Sequence, residues 1–265
     1  MTTRLASALW IVLISLSAWI YFPGLDGPAL LDDGINLQQV AILDEHPDFL
    51  TDTVTGNYSG PLGRPITMWT FGLEKLLLDG GTFGNKSINL MLHLLLASLL
   101  AVFSRDVFRH LDYENPLALA IMTAGLWVLA PLLLSTVLYS IQRMAQLTAL
   151  FTLLSMWSWL RFRLSSGAPA GGWILVCLGA LAAAPLSKEN GLLALPMLIL
   201  LEWQVLRFQG LGRLQTLVLT RMSAFVFGLG LAFFVLVLVL QPEFIVGVYK
   251  IRDYTLEERL LTQTR

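Results

Sequence analysis

Long apolar runs alternate with short polar connections along the first 240 residues of the chain. Seven such runs approach the roughly 20 residues that a helix needs to cross about 30 Å of hydrocarbon. They lie at about 5–22, 86–104, 117–138, 145–160, 172–186, 190–206 and 222–240. Leu, Ala, Val and Ile dominate these runs, which lack the alternating polarity of barrel strands. The pattern therefore predicts an all-α integral membrane protein with about seven transmembrane helices.

Composition agrees with a membrane protein and narrows the range of partners. Of the 265 residues, 56% are hydrophobic and 13% are charged, whereas an average soluble domain is about 25% charged. The net charge of −1 argues against nucleic acid as a partner, because a phosphate backbone selects a basic surface. Cys177 is the only cysteine, so the chain has neither a disulfide framework nor a Cys-based zinc site.

The placement of basic residues predicts the orientation of the spans. With a cytoplasmic N-terminus, each short cytoplasmic connection carries at least two arginines, as the positive-inside rule requires. These cytoplasmic arginines are Arg4, Arg105, Arg109, Arg161, Arg163, Arg207, Arg213 and Arg221. Residues 1–240 then form one polytopic domain, with an extracytoplasmic loop at about 24–85. Residues 241–265 form an extracytoplasmic tail, in which the Thr255 and Glu258 capping box predicts the start of a helix. The sequence stops before such a helix would finish, so either the protein ends there or the tail is truncated.

About 60 residues separate the first two spans, far more than a connection needs. Within this loop, residues 64–78 have apolar positions at helical spacing, and Pro65 suits the first turn of a helix. One interpretation is an amphipathic helix in the membrane interface, with Trp69 and Phe71 at headgroup depth. The other is an ordinary helix packed on the spans.

Two adjacent carboxylates, Asp32 and Asp33, follow the first span closely. Such a pair suits proton abstraction or the binding of a divalent cation such as Mg²⁺ or Mn²⁺. The alternative is a solvated pair in a loop. No cofactor is required by the sequence.

Several charged residues lie at the ends of apolar runs on the same predicted face. Charges at membrane depth cost about 2.5–3.5 kcal/mol on insertion scales, so they often mark a site. Arg64, Arg143, Lys188 and Glu189 are the candidates, although arginine and lysine at span ends also snorkel to the interface. His93 lies within the second span, where an interhelical hydrogen bond is a more common role than metal binding.

Six motifs, taken in order, resemble a known class of membrane enzyme. They are L-L-D-D-G (30–34), G-R-P-I-T-M-W-T-F (63–71), N-L-M-L-H-L-L (89–95), S-T-V-L-Y-S-I-Q-R-M (135–144), S-K-E-N-G (187–191) and Y-T-L-E-E-R-L-L-T (254–262). The series resembles bacterial relatives of the protein O-mannosyltransferases and the transmembrane O-mannosyltransferases with tetratricopeptide repeats, all of the GT-C class of glycosyltransferases. It covers nearly the whole chain, which lacks a 34-residue repeat.

The resemblance implies a GT-C-like fold in the bacterial inner membrane, with an active site on the periplasmic face. The implied reaction is an inverting transfer of a monosaccharide from a polyprenyl-phosphate donor to a secreted or membrane protein, on Ser or Thr of, for example, a pilin. Asp33 is preferred over Asp32 as the base, and Arg64, Arg143 and Lys188 would hold the carrier phosphate. Membrane lipids would surround the spans. Supporting roles fall to Glu189, His93, Gln142, Arg252 and Tyr254.

Two other functions are compatible with the same residues. A non-catalytic membrane subunit or flippase-like protein would use the arginine and lysine residues to bind a lipid carrier, without need of the aspartates. A secondary transporter would need polar residues near the bilayer midplane, and apart from His93 the span centres carry almost none.

Overall fold

The fold is seen in a computed structural model of the chain, which describes residues 2–30, 32–56, 62–78, 81–165, 168–210 and 256–263, with single positions and stretches of two or three residues between 212 and 239. The chain divides into two compact units, Met1–Arg207 and Phe208–Arg265. The boundary predicted at residue 240 lies inside the second unit. All regular structure in the described residues is helical, in agreement with the predicted all-α class.

The first apolar run forms helix α1, Thr3–Tyr21, which continues as a 3₁₀ turn over Phe22–Gly24. The hydroxyl of Thr2 caps α1 by accepting a hydrogen bond from the Leu5 N–H. Much of the apolar surface of α1 is exposed, for example 64% of Ile11 and 74% of Trp19. Such a surface is expected of a helix that faces lipid.

The predicted outer loop is folded into short helices. Helix α2 covers Asp33–Ala41, α3 covers Leu50–Thr55 and α4 covers Pro65–Leu78. Short 3₁₀ turns at Ile42–Asp44 and Pro47–Phe49 connect α2 to α3. Pro65 begins α4, as predicted, because its missing N–H would have no partner in the first turn of a helix.

Helix α4 packs one face on its neighbours and exposes the other. Met68 and Phe71 are buried with Ile141 and Met144 in one apolar cluster, whereas Trp69 is 51% and Leu77 is 74% exposed. The ring of Phe71 is part of this core and does not face lipid headgroups, so the packed-helix interpretation fits this face of α4 better. The interfacial position of Trp69 stays a prediction.

Helix α5, Gly81–His110, is 30 residues long and begins before the predicted span. Helix α6, Pro116–Val128, is followed by a break at Pro131, a 3₁₀ turn and α7, Leu134–Leu138. The two parts of this third run differ in direction by 50°, because a proline lacks the N–H that would continue α6. A 3₁₀ turn at Ser140–Gln142 leads into α8, Arg143–Leu164.

Helix α9 covers Ala168–Ser187 and includes Pro185 near its end. The next apolar run changes geometry twice, from a 3₁₀ turn at Glu189–Leu193 through α10, Ala194–Leu201, to a π-helical turn at Glu202–Leu206. In the second unit, α11 covers Leu256–Gln263. It starts beside the predicted cap Thr255, which lies outside the described residues.

Four helical segments are long and apolar enough to span a membrane: Thr3–Gly24, Gly81–His110, Pro169–Ser187 and Glu189–Leu206. The bent pair Pro116–Val128 and Pro131–Leu138 makes a fifth if it is one span. The predicted span at 145–160 lies in α8, which is 22 residues long and does not belong to this set. The run at 222–240 is described only at 223–225 and at scattered single positions. Several membrane spans are thus supported, and the count of seven is not confirmed.

Contacts within the first unit define two ends of the helix bundle. We call one end the loop end; it consists of residues 22–56, 62–78, 81–85, 130–143 and 187–193. Next to it, Tyr21 and Leu25 pack on Leu90 and Val137. The opposite end consists of residues 105–116, 161–165 and 202–207, next to which Leu160 packs on Leu201 and Leu206. Most described residues of the predicted site lie at the loop end: Asp32, Asp33, Arg64, Gln142, Arg143, Lys188 and Glu189.

Candidate functional site

The two adjacent aspartates lie in different environments. Asp33, the first residue of α2, is 1% exposed, whereas Asp32 is exposed. The Asp33 Oδ1 accepts a hydrogen bond from the Ile141 N–H at 2.8 Å, and its Oδ2 accepts one from the Leu30 N–H at 2.9 Å. Asp33 therefore ties the start of α2 to the segment that precedes α8. A carboxylate engaged on both oxygens is a poor base, so the preference for Asp33 does not fit this geometry.

Tyr139 adjoins Asp32, a neighbour that the sequence did not suggest. The Asp32 backbone N–H donates a hydrogen bond to the Tyr139 hydroxyl oxygen at 2.8 Å. Burial, and then the nearby carboxylates of Asp32 and Asp33, raise the pKa of the Tyr139 hydroxyl, so it stays protonated. Tyr139 lies four residues before Arg143 in a polar stretch of the chain, the only sequence signal that could have pointed to it.

Arg143 is completely buried at the start of α8. Its Nη2 donates to Glu74 Oε2 of α4 at 2.5 Å and to Asn85 of α5, and its Nε donates to Asn89 Oδ1 at 3.2 Å. The guanidinium also lies 3.8 Å above the centre of the Phe71 ring. A phosphate-binding role for Arg143 does not fit this arrangement, because its charge is neutralised and its side chain is closed off from solvent.

Glu74 completes this buried cluster and was not predicted as a site residue. Burial raises the pKa of the Glu74 carboxyl, and the charge of Arg143 opposes this shift. Glu74 Oε1 and Arg143 Nη1 have no hydrogen-bond partner among the described residues. The cluster joins α4, α5 and α8 at the centre of the loop end, so its clearest role is to fix the positions of these helices.

Arg64 and Glu189 form the second ion pair of the loop end. Arg64 Nε and Nη2 donate to the two carboxylate oxygens of Glu189 at 3.0 and 3.2 Å, and Nη1 lies 3.0 Å from Met144 Sδ. Both side chains are partly exposed, by 15% and 26%. Arg64 adopts a left-handed backbone conformation with φ of 53°, which costs about 1–2 kcal/mol for a residue with a Cβ. Strained residues of this kind cluster at functional sites.

Lys188 lies beside this pair and is half-buried. Its ammonium makes no hydrogen bond or ion pair with a described residue. Burial, and then the positive charge of Arg64, lower the pKa of the Lys188 ammonium, and Glu189 only partly compensates. A partly desolvated cation without a bonded partner is a suitable binding point for an anion.

Asp33 and Arg64 both contact the short segment 141–144. Asp33 contacts the backbone of Ile141, and Arg64 contacts Met144 three residues later. One helical turn advances about 5.4 Å, so this segment brings the acidic and basic groups of the loop end close together. The prediction that these residues gather on one face is consistent with these contacts.

A cavity of about 310 Å³ opens between α2, α4 and the start of α5. Its walls carry Asp33, Gln38, Lys75, Asn85 and Ser140. The Ser140 hydroxyl is buried and has no hydrogen-bond partner among the described residues. The lining is mostly apolar, with a few polar groups that include Asp33, so the loop end has a recess beside Asp33.

The remaining predicted residues do not form one group. His93 Nε2 donates to the Val128 carbonyl at 3.0 Å, and the ring stacks on Trp127, which confirms the predicted interhelical hydrogen bond. The Gln142 side chain is half-buried and makes no hydrogen bond to a described residue. Arg252 and Tyr254 lie outside the described residues.

Lys86 is a further residue that the sequence did not single out. It is 2% exposed, and its ammonium donates to the carbonyls of Gly27 at 2.7 Å and Pro28 at 3.0 Å. This contact anchors to α5 the chain segment that leads from α1 to the aspartates.

A divalent cation at Asp32 and Asp33 does not fit the donor set. Both Asp33 oxygens accept backbone N–H groups. Within the described part of the chain, no group of three or more His, Cys, Asp or Glu side chains is placed to hold a metal ion. We therefore derive no step of the chemistry through a metal.

Comparisons of the chain with protein-family models, with curated proteins and with solved structures found no match. The loop end has three main features. They are the exposed Asp32 beside Tyr139, the half-buried Lys188 beside Arg64, with an ammonium that bonds to no described residue, and the recess lined by Asp33.

Proposed function

We propose that the protein is a GT-C-type glycosyltransferase that moves a monosaccharide from a polyprenyl-phosphate carrier to an acceptor hydroxyl. The observation that carries the proposal is the presence of an exposed carboxylate, Asp32, and a half-buried cation, Lys188, at the same end of a bundle of apolar helices. The Lys188 ammonium makes no hydrogen bond or ion pair with a described residue. The carboxylate can accept a proton, and the cation can receive a phosphate. An apolar exterior around them suits a lipid-linked substrate.

In the proposed reaction, Asp32 takes the role of base in place of Asp33. The acceptor hydroxyl gives its proton to the Asp32 carboxylate, and its oxygen attacks the anomeric carbon on the face opposite the carrier. The bond from the anomeric carbon to the phosphate oxygen breaks, and the electron pair leaves with the polyprenyl phosphate. The configuration at the anomeric carbon inverts.

Lys188 and Arg64 would stabilise the departing phosphate, which becomes more negative as the bond breaks. Such stabilisation lowers the barrier because it is stronger in the transition state than in the ground state. Glu189 holds the Arg64 guanidinium by two hydrogen bonds, which fixes the position of its positive charge beside Lys188. The buried Arg143 supports the helices that carry these side chains.

The proposal extends to topology and acceptor. Seven spans with a cytoplasmic N-terminus would place the loop end on the periplasmic face of a bacterial inner membrane. A Ser or Thr of a secreted protein, such as a pilin, would then be the acceptor.

A transfer assay with the purified protein in proteoliposomes tests the proposal. Asp32→Asn should abolish transfer of labelled sugar while leaving carrier binding unchanged. Asp48→Asn, a change of an exposed acid in the same loop, is the matched control and should keep full activity. Full transfer by the double variant Asp32→Asn, Asp33→Asn would contradict the proposal.

A carrier-binding or flippase-like protein is the second candidate, favoured by the engagement of both Asp33 oxygens. This candidate predicts that the affinity for a polyprenyl phosphate depends on Lys188 and Arg64 and does not change when Asp32 is replaced. Binding without transfer by the unmodified protein, with every acceptor protein of the periplasm present, would favour this candidate.

A further inference from the structure

The opposite end of the bundle contains a groove that the proposed function does not use. Helices α1, α5 and α6 enclose about 260 Å³ there, lined by Ser7, Trp10, Ala101, Arg105, Ala120 and Ile121. Small side chains leave space between the helices, and most of the lining is apolar. This volume is below the range of about 300–1,000 Å³ that is usual for drug-sized ligands, and it suits a narrow, flexible chain.

A cluster of arginines adjoins this groove. Arg105, which lines it, donates to Asp106 Oδ1 at 2.8 and 3.0 Å, and Arg161 lies 3.7 Å from Asp106 Oδ2. The Trp157 indole N–H also donates to Oδ2, at 3.0 Å. Two guanidinium groups thus share one carboxylate.

The charges of this cluster do not balance. The two arginines and Asp106 leave one positive charge, and exposure is uneven, since the side chains of Arg105 and Arg161 are 34% and 39% exposed while Asp106 is 5% exposed. The buried Nε of Arg161 has no hydrogen-bond partner in the described part of the chain. The Arg161 guanidinium also lies 5.5 Å from the centre of the Trp173 ring. An excess positive charge therefore lies beside the apolar groove, on Arg105 in its lining and on Arg161 next to it.

We propose that this groove binds one acyl chain of an anionic phospholipid whose phosphate contacts Arg105 and Arg161. The apolar walls match the chain, and the excess positive charge matches the headgroup. Arginine suits this contact because its planar fork of N–H donors pairs with phosphate oxygens. Basic residues near a membrane surface attract anionic lipids by about 1 kcal/mol each, so a lipid with a net negative charge binds better than a zwitterionic one.

Trp10 is a natural reporter for this site because it lines the groove. Brominated acyl chains quench tryptophan fluorescence on contact, and the signal of Trp10 is obtained by subtracting the spectrum of a Trp10→Phe variant. The full chain in mixed micelles is titrated with brominated phosphatidylglycerol and, separately, with brominated phosphatidylcholine. We expect quenching of Trp10 at a lower mole fraction of phosphatidylglycerol than of phosphatidylcholine.

Matched variants distinguish quenching by lipid bound in the groove from quenching by the lipid that surrounds the protein. Arg105→Gln should raise the phosphatidylglycerol fraction at half-quenching about fivefold. Arg109→Gln removes an exposed arginine one turn further along α5 and should leave it unchanged. Ser7→Phe should block the groove, whereas Ser7→Ala should not. Equal quenching by the two lipids, or equal effects of Arg105→Gln and Arg109→Gln, would overturn the proposal.

Discussion

At the residue scale, the proposed phosphate site makes Lys188 sensitive to alkaline pH. Burial and Arg64 lower the pKa of the Lys188 ammonium. An anion binds the protonated form, so affinity is complete below the lowered pKa and is lost as the pH rises through it. The second pKa of a phosphate monoester is about 6, so the phosphate charge is constant over this range.

The first prediction is that affinity for farnesyl phosphate falls at a lower alkaline pH than an ordinary lysine would give. Lys188→Arg should remove this fall, because arginine keeps its charge, while Lys188→Met should weaken binding about tenfold at neutral pH. Microscale thermophoresis across a pH series measures both effects. A Lys188→Arg variant with the same alkaline decline would show that another group is titrating.

The second prediction concerns the buried Glu74 and Arg143 pair, whose side chains are 4% and 0% exposed. Glu74→Gln leaves a buried guanidinium without its counter-charge, which should cost about 3–5 kcal/mol of stability. Replacing both, as Glu74→Leu with Arg143→Met, should cost much less, because no charge is then left unpaired. Denaturation in detergent micelles measures these differences, and the exposed Glu45→Gln is the control.

If Glu74→Gln were no more destabilising than Glu45→Gln, the pair would not hold α4 to α8.

Some residues of the site could be predicted from the sequence and others could not. The loop-end candidates were predictable because a charge beside an apolar run is a local property. Glu74, the partner of Arg143, was not predictable, because it is 69 positions away and resembles any acid on an amphipathic helix. Asp32 and Asp33 are chemically identical in the sequence, and only the fold decides that Asp33 is buried against Ile141 while Asp32 is exposed.

At the element scale, the third prediction concerns the close contact between α9 and the 3₁₀ turn after it. A Cβ on Gly191, in the turn, would lie 2.2 Å from the carbonyl carbon of Ala184 in α9. A Cβ on Gly179, within α9, would meet no atom within 4 Å. Gly191→Ala must therefore move the turn that carries Glu189, at a cost of about 1–3 kcal/mol. Gly179→Ala should stabilise α9 by about 0.5–1 kcal/mol.

Thermal unfolding and farnesyl phosphate binding together check this prediction. Gly191→Ala should lower both, because the turn positions Lys188 and Glu189 for the phosphate. Unchanged phosphate binding by Gly191→Ala would mean that the anion site does not depend on this contact.

The helices themselves were largely predictable, since apolar run length and proline position act locally. Helix α4 begins at Pro65 as expected, and the third run bends at Pro131. The helices α2 and α3 were not predicted, because they are short and gain their stability from packing on α4. The change to π-helical geometry at Glu202–Leu206 likewise has no sequence signal, and accompanies contacts of Glu202 with Trp159 and Arg163.

At the scale of the whole molecule, the bundle has two chemically different ends. The loop end holds the half-buried Lys188, the exposed Asp32 and a recess with a mostly apolar lining, whereas the opposite end holds arginines around Asp106 and Glu202. The predicted orientation, in which arginines mark the cytoplasmic face, would place this opposite end in the cytoplasm. The division also separates the proposed transfer chemistry from the proposed lipid site.

The fourth prediction tests this orientation by cysteine labelling in a Cys177→Ala background. Asn190→Cys at the loop end and Glu114→Cys at the opposite end replace exposed residues, so both thiols should react with maleimides. In intact spheroplasts, a membrane-impermeant maleimide should label Asn190→Cys directly and Glu114→Cys only after permeabilisation. The reverse pattern would place the loop end in the cytoplasm and remove access to secreted acceptors. Labelling of both cysteines from one side would mean that the two ends do not lie across a membrane.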